Sequence, residues 1–121
     1  MARHADIAVR AADRVDGKTL DFSVESLTWI DTSLGEFPPS NQVAETVFSF
    51  GAYVGEVMVR NNPGARWVES PAAGPMAAGW PLVELPGSVL VNPIAKAFKR
   101  VDLGEGENIP YFYSVFSEPT G

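Results

Sequence analysis

The sequence predicts an α+β fold, with four to five helices packed around one long buried helix and a small antiparallel sheet of about three strands. Three observations point to it. The stretch Gln42–Arg60 is the longest apolar run, and its polar residues Glu45, Ser49, Glu56 and Arg60 recur at steps of four, seven and four, along one stripe of a 3.6-residue helix. A helix apolar over most of its circumference belongs in the middle of a domain. After Asn61-Asn62-Pro63-Gly64 the texture changes: six prolines and four glycines fall between positions 63 and 93, which rules out long helices there. Asn92-Pro93 then restarts a helix, with a capping side chain followed by a proline at the first helical position.

The elements follow in order. Ala5–Val15 reads as a short amphipathic helix with Ile7, Ala8, Ala11, Ala12 and Val15 on one face and an Asp6–Arg10 pair on the other. Gly17 supplies a left-handed stop. The apolar face is thin and Ala-rich, so residues 1–19 are expected to dock loosely on a single domain that spans 1–121. A second helix is expected from Ser23, its N-cap, with Glu25 in the first turn and Val24, Leu27, Ile30 and Leu34 buried. Phe22 stands where a hydrophobic staple onto Leu27 would form. Pro38-Pro39 break the chain before the central helix, in which Gly51 and Gly55, four apart, each cost about 1 kcal/mol against Ala and imply close approach of another segment.

Arg66–Glu69 alternates as a half-buried strand, and Trp80–Leu85 and Ser88–Val91 flank the turn dipeptide Pro86-Gly87 as a hairpin. Ser70–Gly79 is the most loop-like stretch. In the helix opened by Pro93, Ile94, Ala97, Phe98 and Val101 face inward and Lys96, Lys99 and Arg100 outward. Asn108 caps a last helix, Ile109–Ser117, with Ile109, Phe112, Val115 and Phe116 on one side and Tyr111 and Tyr113 flanking.

Composition narrows the function classes. With 121 residues the chain fits one domain, and 45% hydrophobic with 20% charged residues is ordinary globular usage. Nine Lys and Arg against fifteen Asp and Glu give a net charge of −6, which argues against nucleic acid and anionic membranes as main partners. There is no cysteine, so disulfides, thiolate catalysis and cysteine-based zinc sites are absent. His4 is the one histidine, near a terminus, and neither a metal nor a cofactor is expected. Charges run through the first sixteen residues, unlike a signal peptide, and a cytoplasmic location is the expectation. Asp102–Glu107 puts Gly104 and Gly106 where a calcium loop needs oxygen ligands, so it reads as a solvated turn.

Glu56 is the most suggestive single residue, a carboxylate in an apolar helix with Tyr53 and Arg60 a turn away. Such a group can serve as a general acid or base, but Glu before Arg at i,i+4 is also the common stabilising pair of a helix. Lys96, Lys99 and Arg100 form a basic face on an acidic protein and, with Trp67 and Trp80 if exposed, are the candidate binding residues.

Asp21-Phe22-Ser23 before Ser26-Leu27, the run Gly51-Ala52-Tyr53-Val54-Gly55-Glu56-Val57, Trp67, Pro93, and Lys99-Arg100 before Gly104 together form a pattern. From Leu20 to Phe116 the chain resembles small single-domain bacterial proteins of an uncharacterised family whose helix carries Gly-Ala-Tyr-Val/Leu-Gly-Glu-Val. The resemblance implies an α+β fold and no particular activity. Two functions therefore stand side by side. One is a non-catalytic module that binds another protein, or a second copy of itself, in the manner of toxin-neutralising immunity proteins. The other is a small hydrolase or isomerase using Glu56, with Tyr53 or Arg60, in acid–base chemistry.

Overall fold

A computed structural model gives the architecture and describes residues 1–69 and 79–117. The chain runs through α1 (Ala2–Asp16), α2 (Leu27–Gly35), a 3-10 turn over Ser40–Gln42, α3 (Ala44–Asn61), β1 (Arg66–Val68), β2 (Leu82–Leu85) and β3 (Val89–Val91). There follow α4 (Pro93–Leu103), a second 3-10 turn over Glu105–Glu107, and α5 (Ile109–Phe116). The α+β class is as expected. Among the described residues no helix is long and apolar enough to cross a membrane.

The centre is α3. Every residue from Gly51 to Met58 is buried, and the glycines account for how tightly its neighbours pack. A methyl group built on Gly51 would lie 2.5 Å from Ile94 Cα, so the α4 backbone crosses there in direct contact. At Gly55 the same atom would lie 2.2 Å from the Trp67 ring, so this glycine admits a side chain rather than a backbone. The last carbonyls of a helix lack intrahelical donors. Here Asn61 and Asn62 amides supply them, to Val57 O and Met58 O, both at 2.8 Å. Asn62 also reaches the Tyr113 hydroxyl of α5 at 3.2 Å.

The sheet has the order β1-β2-β3, antiparallel throughout, with Trp67, Val83 and Val91 in register on one face. Val83 and Val91 are buried, while Arg66, Glu84 and Leu90 share the opposite face, where Arg66 Nε meets Glu84 Oε1 at 2.9 Å. Asn92 and Asn108 cap α4 and α5 as their sequences indicate, accepting from Ala95 N–H at 2.9 Å and Tyr111 N–H at 2.8 Å. The Ser70–Gly79 loop, apart from Gly79, lies outside the described residues.

Three expectations need correction. Helix α1 does not dock loosely: Ala5, Ala8 and Ala12 are fully buried against the core, because small side chains let the helix axis come close to α3. That seam rotates Ile7 and Val15 outward, Val15 to 75% exposure. In α2, regular helix begins at Leu27, and Ser23–Ser26 form a tighter turn with i→i+3 bonds such as Leu27 N–H to Val24 O at 3.1 Å. The tighter winding leaves Val24 exposed, while Phe22 takes a left-handed φ of 61° and stacks on Tyr53. In α5, Val115 and Phe116 are exposed, and Tyr113 is buried in their place with its hydroxyl bonded to Asn62.

Candidate functional site

Glu56 sits on the inner side of α3, 7% exposed, facing β1. Its Oε1 accepts from Arg60 Nε at 3.1 Å, with Arg60 Nη2 also at 3.1 Å, and its Oε2 accepts from the Trp67 indole N–H at 2.7 Å. Gly55 and Glu56 thus seat Trp67 together, the first by making room for the ring and the second by taking its proton donor. A general acid or base must present an oxygen to a substrate within hydrogen-bond reach. Both Glu56 oxygens are turned to protein donors instead.

Tyr53 points elsewhere. Its hydroxyl accepts from Phe22 N–H at 2.9 Å and lies 2.7 Å from Ser26 Oγ. Since the Ser26 hydroxyl donates to Ser23 O at 2.6 Å, the Tyr53 proton must go to Ser26. The result is a one-way relay from Phe22 N–H through Tyr53 and Ser26 to Ser23 O. Burial pushes the Tyr53 hydroxyl above the usual tyrosine range, against the opposing hydrogen bond from Phe22 N–H. The Arg60 guanidinium covers the Phe22 ring at 3.7 Å, so Phe22 is clamped between Arg60 and Tyr53. Tyr53, Glu56 and Arg60 therefore fasten the 20–26 segment and β1 onto α3.

The three basic residues of α4 separate. Arg100 is not on the outer face, as its helical spacing predicts, but buried, with Nε donating to Asp31 Oδ1 at 2.9 Å. Asp31 also accepts the Ile109 N–H at 2.8 Å, so one carboxylate ties α2, α4 and the start of α5. Burial of Arg100 follows from α2 and α5 closing over that side of α4, which no single-helix pattern reveals. Lys96 pairs with Glu107 at 2.9 Å and holds that carboxyl below the usual range, while Lys99 is exposed. Asp102 is likewise lowered by its bonds from the Ser40 hydroxyl and N–H, at 2.6 and 3.0 Å.

Two concave regions border residues named from the sequence as candidates for binding. A groove of about 290 Å³ lies between β3, α4 and α5, walled by Leu90, Phe112 and Phe116 with Lys96 and Lys99 beside them. A larger cleft of about 500 Å³ lies between α1, α3 and α4, and Trp80 is one of its walls. Trp67, the other tryptophan named from sequence, is half-buried and spent on Glu56. Not named as binding residues from the sequence were Leu90, Phe112 and Phe116, which come together only where α5 meets the sheet edge. Among the described residues no three His, Cys, Asp or Glu side chains gather as metal ligands would. Compared with protein-family models, with curated proteins and with solved structures, the chain matches none.

Proposed function

We propose that this chain is a non-catalytic protein-binding module, and that it binds through the edge formed by β3 and α5. One observation carries the reading: Leu90 of the edge strand and Phe116 of α5, both open to solvent, wall the same groove. Val89 and Leu90 lie on a three-residue edge strand, and Tyr111, Val115 and Phe116 lie on α5, with Tyr111 66% exposed. Groups of exposed apolar side chains beside polar ones mark interaction surfaces. An edge strand also offers backbone donors and acceptors to an extended segment. Lys99, exposed on the groove beside this edge, favours an acidic segment with an apolar anchor.

Peptide display on the immobilised protein tests this. Selected peptides should carry Asp or Glu next to an aliphatic or aromatic residue. Their affinity should fall by about tenfold or more, roughly 1.4 kcal/mol, for Leu90→Asp or Phe116→Asp. Peptides that bind both variants as they bind the parent would place the surface elsewhere. A second copy of this chain as the occupant would appear as a dimer in light scattering that the same two substitutions dissolve. Glu56→Gln should leave peptide binding intact and cost about 1–3 kcal/mol of stability through Trp67. The Arg60 part of that cost is small, since Arg60 is 45% exposed.

A further inference from the structure

We propose that the cleft between α1, α3 and α4 is a binding site for a small organic cation with an apolar body. Its walls are His4 and Ile7 of α1, Glu45 and Phe48 of α3, Trp80 just before β2, and Phe98 of α4. Its volume of about 500 Å³ suits a small molecule. The rings hold one another in place before any ligand arrives. Trp80 stacks on Phe98 at 4.9 Å between centroids, Phe48 meets Trp80 edge-on at 6.1 Å, and His4 meets Phe48 edge-on at 5.1 Å. A wall fixed in advance spares a ligand the cost of ordering it.

The charge preference comes from the same residues. Among the described residues the lining holds no Lys or Arg, and Glu45 is its one carboxylate, exposed and without an ion pair. Aromatic faces carry negative potential and attract cations, Trp most strongly. The net charge of −6 adds a long-range field of the same sign. The cleft also accounts for Ile7, an apolar residue 45% exposed, as a wall of the site. This site is separate from the β3–α5 edge, so either can fail without the other.

The test is calorimetric titration of the full chain with benzyltrimethylammonium, alongside neutral 2-phenylethanol and anionic phenylacetate. The cation should bind at least about fivefold more tightly than the alcohol, and phenylacetate should bind most weakly. Glu45→Gln, an exposed change that leaves folding alone, should weaken the cation about threefold and leave the alcohol unchanged. Trp80→Leu should remove binding of both. Absence of cation binding up to about 10 mM, or equal affinity for cation and alcohol, overturns the proposal. So does full binding by Trp80→Leu. Should Trp80→Leu fail to fold, the Glu45→Gln comparison decides alone.

Discussion

Arg100→Met would distinguish a free surface cation from a buried clamp. Side-chain exposures are 8% for Arg100 and 18% for Asp31, so both charges are largely out of water. Removing one partner of a fully buried pair costs about 3–5 kcal/mol, because the other charge stays behind unpaired. Here Asp31 keeps the Ile109 N–H and some solvent, which lowers the expected cost to about 2–4 kcal/mol. Asp31→Asn still accepts from Ile109 N–H but leaves Arg100 without a counter-charge, for about 2–3 kcal/mol. The double variant carries neither charge, so its loss should fall short of the sum by about 1.5 kcal/mol or more. Urea unfolding of the four proteins, compared by midpoint and slope, measures this. A loss within about 0.5 kcal/mol for Arg100→Met would refute the clamp and return Arg100 to the surface.

Gly51→Ala should destabilise by about 1–3 kcal/mol despite its better helix propensity, because the new methyl meets the Ile94 backbone, which cannot swing aside; a variant melting above the parent would refute the contact. Tyr53→Phe should cost about 1–3 kcal/mol by orphaning Phe22 N–H. Because the folded Tyr53 hydroxyl titrates above its unfolded value, its stabilisation is complete below the ordinary tyrosine range and fades as pH rises through the folded value. An alkaline melt series should therefore be flatter for Tyr53→Phe than for the parent. Asp102 has the opposite sign: its lowered value means stabilisation present above the ordinary carboxylate range and lost as pH falls through the folded value. Asp102→Asn should make acid unfolding less steep, and an unchanged profile would count against the Ser40 bonds.

Much of the fold is legible in sequence where one element decides its own outcome. The apolar run of α3, the Asn-capped starts of α4 and α5, and the Pro86-Gly87 hairpin all follow from local periodicity and turn chemistry. What escapes is whatever two elements decide jointly. Ala5, Ala8 and Ala12 look too small to anchor a helix, yet their smallness is what brings α1 close. Arg100 lies on the polar side of α4 by count, yet α2 supplies Asp31 and closes over it. The sequence does place Glu56 beside Arg60, but the tryptophan that takes the second oxygen comes from a strand eleven residues on. A glycine next to a buried carboxylate, with a Trp downstream, was the available signal.

These pairings also bear on where recognition can occur. Of nine Lys and Arg, Arg10, Arg60, Arg66, Lys96 and Arg100 are held in ion pairs within the chain. The polar side chains of the inner half of α3 are likewise consumed: Tyr53 by Phe22 and Ser26, Glu56 by Arg60 and Trp67. That half of the helix can set stability but has little left to offer a ligand. The two surfaces proposed for recognition accordingly lie at the periphery, on side chains that the core leaves open: Leu90 and Phe116 beside Lys99 at one edge, Trp80 and Phe98 beside Glu45 at another. Substitutions in the buried part of α3, from Gly51 to Met58, should consequently shift unfolding midpoints while leaving the affinity of the folded protein alone. Leu90→Asp and Glu45→Gln, at exposed or half-open positions, should do the reverse. Stability and the proposed binding should then be separable in this chain, because different residues carry them.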